Sequence, residues 1–215
     1  MDTRVARLFP GGEVVVDLGC GDGAALTALS TLYRKRVGID ISTERLRLQQ
    51  ARPDDWTFIL SDLNRGIPVA SGVVDAVHAN QVIEHVGNPL FFAIEVYRVL
   101  RPGGVFVVTT PNIRYLRHVW RLVARGAGPV TSTERSRTPT DWDTGHIHFF
   151  TPSDLVWIAQ QAGFRHVETT ALIERSGRFR GLRKILDSAA RRPLVKNFLS
   201  GNTLLVAVKE MPPCP

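Results

Sequence analysis

The chain has 215 residues, 44% hydrophobic and 22% charged, which suits one folded domain and excludes wholesale disorder. No apolar run approaches the ~18 residues of a membrane helix, and only two cysteines, Cys20 and Cys214, are present, which excludes a disulfide scaffold or a cysteine-based zinc site and favours a reducing cytoplasm. The net charge of +7 is uneven: residues 1–112 hold 11 Lys/Arg and 12 Asp/Glu, residues 113–215 hold 16 and 8. The opening MDTRVARLFPGGE has no apolar stretch behind its basic residues, so no secretory signal is expected.

Short apolar runs then alternate with helical patterns, as in a parallel sheet with crossover helices. VVVDL (14–18) predicts a buried first strand that ends in a glycine turn, and AALTALSTLY (24–33) has helical spacing. RVGID (36–40) predicts a second strand. TERLRLQQA (43–51) predicts a helix stopped by Arg52-Pro53. WTFIL (56–60) and VVDAVHA (73–79) predict the third and fourth strands. Asn88-Pro89 opens a helix over LFFAIEVYRVL (90–100), and Arg101-Pro102-Gly103-Gly104 stops it. VFVVTT (105–110) is the fifth strand.

The alternation breaks there. An extra helix is expected over 112–125, then a loop over 126–145 whose length points to a lid or binding loop. Thr151-Pro152-Ser153-Asp154 caps a helix that runs to Gly163. FRHVETTAL (164–172) predicts a sixth strand. A basic, partly helical insertion (174–199) leads to TLLVAVK (203–209). With no full crossover between them, the last two strands should form an antiparallel hairpin at the sheet edge.

The basic second half, with Arg114, Arg117, Arg121 and Arg125 in one cluster, would attract an anionic partner or be a solvated surface. Nucleic acid is disfavoured, because aromatics do not interleave with the basic residues. GRFRGLRKILDSAARR (177–192) reads as an amphipathic basic helix, which suits either packing on the domain or peripheral membrane contact. A homodimer is left open.

Asp17-Leu18-Gly19-Cys20-Gly21-Asp22-Gly23 joins a strand to a helix, where glycines let a ligand approach the backbone. Gly19, Gly21 and Ala24 even satisfy the dinucleotide fingerprint, with Asp40 about twenty residues on. Asp17 argues against that reading, since a carboxylate heading the crevice repels a pyrophosphate and favours a cationic ligand. S-adenosylmethionine carries an ammonium and a sulfonium, and no phosphate. Asp40 can accept from ribose hydroxyls, and Asp62 from the adenine amino group. Three acids thus close three consecutive strands at the carboxyl edge.

These pieces, VVDLGCGDG (15–23), VGIDIS (37–42), SDL (61–63), VVDAVHANQVIEHV (73–86), LRPGG (100–104) and FVVTTPN (106–112), resemble the class I, Rossmann-like S-adenosylmethionine-dependent methyltransferases. The resemblance is strong over 13–112 and moderate over 146–170. It implies an α/β fold: one doubly wound, mostly parallel seven-stranded sheet, order 3-2-1-4-5-7-6, the last strand antiparallel. The expectation is a single methyltransferase domain, 1–215, with a lid or acceptor insertion at 113–145 after strand 5. A basic insertion at 171–200 separates strands 6 and 7. The resemblance further implies that Asp17, Gly19, Gly21 and Gly23 hold the amino-acid end of S-adenosylmethionine. It gives Asp40 and Ile41 the ribose and adenine, and Asp62 and Leu63 the adenine rim. Asn80 and Gln81 would lie under the methionine portion.

The Asn/Asp-Pro-Pro-Tyr signature of amine methylation is absent, since His78-Ala79-Asn80-Gln81 stands there. Glu84-His85 resembles the Glu-x-x-Glu-His stretch of ubiquinone-biosynthesis O-methyltransferases, which implies a divalent cation such as Mg²⁺ held by Glu84 and His85. Gln81 replaces the first Glu, so one negative ligand is missing. His146 and His148, preceded by Asp141 and Asp143, share one face if extended and can supply a general base or join that metal site. His78, His118 and His166 read as structural or superficial.

The expected catalytic set is therefore Glu84, His85, His146 and His148, acting on a small-molecule or oligosaccharide hydroxyl. A sugar leads, because Trp120 and Trp142 suit stacking on sugar faces. A quinone, phenol or polyketide hydroxyl is the alternative. RNA methylation and a non-catalytic cofactor-binding protein come behind both.

Overall fold

The computed structural model describes residues 3–44, 56–128, 145–172 and 191–211. Seven strands are present among the described residues: β1 (Gly12–Leu18), β2 (Tyr33–Asp40), β3 (Trp56–Leu60), β4 (Val74–Asn80), β5 (Leu100–Pro111), β6 (His166–Leu172) and β7 (Asn202–Val208). They form one sheet in the order β3-β2-β1-β4-β5-β7-β6. β7 runs antiparallel to both of its neighbours, and the other pairings are parallel. The fold is the doubly wound α/β sheet expected, with its last strand reversed.

The helices are α1 (Thr3–Ala6), α2 (Ala24–Ala28), α3 (Pro89–Val99), α4 (Leu116–Arg125) and α5 (Pro152–Gln161), with a π-helix at Val195–Leu199. Helices cover both faces of the central strands, so those strands read as continuous apolar runs rather than alternating ones. One core layer holds Phe92, Val96, Phe106, Leu155 and Phe164. The other holds Phe9, Val15, Leu26, Tyr33 and Val107. The predicted caps form. The Asn88 side chain accepts from the Phe91 amide at 2.9 Å, and Thr151 and Asp154 make a reciprocal capping box.

Four boundaries differ clearly from expectation. The helix expected over 24–33 stops at Ala28, because Tyr33 is already in β2. Tyr33 is buried, pairs with Gly12 and accepts the Gly11 amide on its hydroxyl at 3.2 Å, so the strand starts earlier than its apolar run. β5 starts at Leu100 rather than Val105, and pairs with Val74 before a register shift. The extra helix starts at Leu116, because residues 112–115 form a turn in which the Asn112 side chain accepts the Arg114 amide at 3.0 Å.

Of the segment 113–145 expected to be a lid or acceptor insertion, α4 and its approach are described and 129–144 are not, so Asp141, Trp142 and Asp143 lie outside the described residues. So do the helix expected over 43–51 beyond Glu44 and the basic stretch over 173–190. Ala171 and Leu172 belong to β6, so the basic insertion begins after them. Among the described residues no helix is long and apolar enough to cross a membrane.

Two side-chain nodes join distant segments. Asn112 is fully buried, and its amide nitrogen lies within 3.1 Å of the carbonyls of Lys196, Asn197 and Ser200, pinning the π-helix to the end of β5. Arg98 pairs with Glu95 at 2.7 and 2.8 Å and donates to the carbonyls of Ile67 and Val69, while Glu95 accepts the Ile67 amide. The Arg98 hydrogen bond holds the Glu95 carboxyl below its usual range, against an opposing effect of burial.

Asn112→Ala would leave three carbonyls without that donor and should cost about 2–3 kcal/mol. That is a melting midpoint lower by roughly 4–10 °C in calorimetry. The lowered Glu95 pKa stabilises the fold above the carboxyl's unfolded value near pH 4.5, and this contribution is lost as pH falls through the folded value. Glu95→Gln should therefore flatten the acid side of the stability profile below about pH 4.5 in urea titrations. An unchanged acid limb would refute that role.

Candidate active site

The glycine loop sits between β1 and α2, and its conformation needs glycine. Gly19, Gly21 and Gly23 have φ of +63, +54 and +74°. A Cβ on Gly19 would also lie 2.5 Å from Val82 Cγ2, so this glycine lets the loop press against the segment after β4. Most of the loop amides have acceptors in the loop itself or in β2. Gly19 and Cys20 donate to the Ile39 carbonyl at 2.7 and 3.2 Å, Gly23 to the Cys20 carbonyl, and Ala24 to Asp22. Gly21 donates to Asp40 Oδ2 at 2.9 Å. A phosphate cradle keeps such amides for its ligand; here they already have acceptors.

The carboxylates at the strand ends divide their work. Asp17 is 3% exposed, and its Oδ1 lies 2.7 Å from His78 Nδ1, directly across the β1–β4 pairing. One Asp17 oxygen is thus committed inside the protein. Asp40 also accepts the Ser42 amide through Oδ1 at 2.9 Å. Beside it Ile41 is 68% exposed, an apolar surface at the carboxyl edge. Asp62 caps the short 3₁₀ turn Leu63–Arg65 and accepts from the Asn64 amide and side chain at 2.9 Å. Asn80 ends β4 and accepts from Thr109 Oγ1 at 2.6 Å. Gln81 follows with φ +57°, the one non-glycine among the described residues in that region. The left-handed conformation costs about 1–2 kcal/mol and clusters at functional sites.

Past Gln81 the chain turns through Glu84 and His85. Glu84 is 1% exposed. Its Oε2 accepts from Thr110 Oγ1 at 2.9 Å, and its Oε1 is buried with no hydrogen-bond partner among the described residues. Burial pushes its carboxyl up to about 7, against the Thr110 hydrogen bond and its own backbone amide, which lower it. The Glu84 carbonyl accepts the amides of Ile147 and His148 at 3.0 and 3.1 Å, so the strap 145–148 hangs over it. His146 is thereby brought to His85, with ring centroids 4.7 Å apart. Glu84, His85 and His146 each offer one ligand atom within 4.8 Å of the others. His148 does not join them; it stacks on Phe150, centroids 5.8 Å apart. Three of the four expected catalytic side chains therefore converge. Mg²⁺ favours oxygen donors and keeps much of its water, so two imidazoles and one carboxylate fit it poorly.

His78, Thr109 and Thr110 belong to the site although sequence reading gave them no role in it. Their signal lies in the β1–β4–β5 register, which sets His78 opposite Asp17 and Thr109 opposite Asn80.

The chain is 27% identical over 175 residues to the ubiquinone biosynthesis O-methyltransferase of Psychrobacter arcticus, covering 79% of this chain and 65% of that one. It is 31% identical over 119 residues to the mitochondrial ubiquinone biosynthesis O-methyltransferase of Rattus norvegicus, covering 52% and 34%. It thus spans about a third to two thirds of the length of these curated relatives. The crystal structure of a SAM-dependent methyltransferase from Archaeoglobus fulgidus superposes with a TM-score of 0.67 at 16% identity, over 96% of this chain and 90% of that one. The methyltransferase domain family matches residues 1–169, most of the chain. Sheet order, glycine loop and family match agree: the chain belongs to the methyltransferase domain family and has the Rossmann-like class I fold of the S-adenosylmethionine-dependent enzymes.

Proposed function

We propose that the protein transfers a methyl group from S-adenosylmethionine to a hydroxyl of a small or oligomeric acceptor. One observation carries the choice of donor. The amides of Gly19, Cys20, Gly21, Gly23 and Ala24 already have acceptors, while carboxylates stand at the ends of β1, β2 and β3. Such a crevice offers acceptors to a cationic, hydroxyl-bearing ligand and few donors to a phosphate. Asp40 would accept from the ribose hydroxyls, Ile41 and Leu63 would flank the adenine, and Asp62 would face its amino group. Gly19, Gly21 and Gly23 would let the amino-acid end approach the backbone, with Asp17 adding negative charge. Asn80 and Gln81 would lie beneath the methionine portion.

Bound, the cofactor supplies a methyl group already activated by its sulfonium. The acceptor oxygen would take that methyl group, with the carbon–sulfur bonding pair left on the departing thioether. The chain's remaining tasks are to position the hydroxyl and to take its proton. Holding reactants in line supplies effective molarities of about 10⁵–10⁸ M. His85 and His146 supply the proton acceptor, and a base of that kind contributes about 10²–10⁴-fold. Buried Glu84 below them stabilises the imidazolium that forms.

A sugar or polysaccharide hydroxyl leads, because α4 presents Trp120, 52% exposed, with the Arg125 guanidinium 4.7 Å from its ring centre. A phenolic or quinol hydroxyl is the second reading, supported by the similarity to the ubiquinone-pathway relatives.

Calorimetry should find adenosylhomocysteine bound by the whole chain and no heat from NADH. Asp40→Ala should weaken adenosylhomocysteine about 100-fold, since hydrogen bonds to a charged group are worth ~1.5–3 kcal/mol. Avid NADH binding beside silent adenosylhomocysteine would overturn the assignment. With labelled cofactor, label should enter glycans or, on the second reading, phenols; label in RNA alone would reject both.

A further inference from the structure

We propose that Glu84, His85 and His146 form a binding site for a divalent transition metal of the zinc or cobalt type, with Mg²⁺ excluded by the donor set. The three side chains come from two segments far apart in the chain, and their ligand atoms lie within 4.8 Å of one another. Adjacent donors around a tetrahedral zinc stand about 3.3 Å apart, given bonds of ~2.0–2.1 Å. His85 is exposed, so core packing does not oppose the small approach that ligation needs.

Three further features belong to a built site. The Glu84 carboxylate is buried, and its Oε1 lacks a partner, so a cation would satisfy a group that otherwise bears an uncompensated desolvation cost. Thr110 holds the other oxygen at 2.9 Å and fixes the carboxylate's orientation. His85 Nδ1 lies 3.1 Å from the Gly145 carbonyl. A carbonyl only accepts, so Nδ1 carries the proton and Nε2 keeps its lone pair. Ligating histidines carry this arrangement, with the second ring nitrogen donating to a backbone carbonyl.

Two imidazoles and a carboxylate are the ligand class of zinc, cobalt and their first-row neighbours. The pairing of Glu84 with the ubiquinone-type stretch would have suggested Mg²⁺; the third donor, His146, changes the preference. With three protein ligands the ion keeps open positions, and there it would polarise an acceptor oxygen and so stand in for the histidine base, whose ring lone pairs it occupies. That last consequence rests on the methyl-transfer reading, whereas metal binding does not.

The test uses the whole chain without an affinity tag, freed of metal by a chelator, and with neither cofactor nor acceptor present. Calorimetry should show one Zn²⁺ per chain. Co²⁺ should give a visible absorption band that Zn²⁺ abolishes. Mg²⁺ should give no heat below the millimolar range. His85→Ala, on an exposed residue that leaves the core intact, should weaken Zn²⁺ about 100-fold, and the double variant His85→Ala/His146→Ala should lose the site. Zn²⁺ bound equally well by the double variant, or Mg²⁺ bound more tightly than Zn²⁺, would overturn the proposal. Because no methyl transfer is measured, failure here is distinct from failure of the proposed activity.

Discussion

The end of β2 holds the glycine loop. The Ile39 carbonyl takes two loop amides and the Asp40 carboxylate takes a third, so β2 and the β1–α2 turn share one set of hydrogen bonds. The left-handed glycines follow from this constraint, because only such a turn aims successive amides back at the neighbouring strand. The consequence is chemical. A loop that satisfies its own donors presents its ligand with backbone shape and carboxylates rather than with a positive nest. Asp40 serves both purposes, and its geometry is set before any ligand arrives.

A second dependency centres on Glu84, which acts through both its carbonyl and its side chain. The carbonyl suspends the strap 145–148, and the carboxylate lies beneath the histidines that the strap and the turn bring together. A buried acid with one free oxygen is expensive, and a native fold keeps one where it serves a purpose. Gln81 has a related role. Its left-handed backbone turns the chain sharply out of β4, just where the glycine loop touches Val82. The two halves of the site therefore meet at one point of contact.

Much of this was legible in the residues. Valine runs at β1, β4 and β5 mark buried parallel strands, and Asn88-Pro89 and Thr151-Pro152 mark helix starts, because those signals are local. The acids closing β1 to β3 were legible for the same reason. What escaped depended on register and on distant packing. Nothing local says that His78 stands opposite Asp17, or that Thr110 reaches Glu84. The separation of His146 from His148 likewise follows from two backbone hydrogen bonds to the Glu84 carbonyl, which no spacing rule contains. The early start of β2 escaped because Tyr33 is anchored by the amide of Gly11, a residue before the sheet begins.

The reversed strand β7 lies between β5 and β6, although it is the last of the seven in chain order. During synthesis, β5 therefore keeps one unpaired edge for about ninety residues of further translation. β6 meanwhile emerges with no neighbour to join. An open edge of this kind invites pairing with another nascent chain. The sheet is complete only when residues 202–208 join the strands on either side of them.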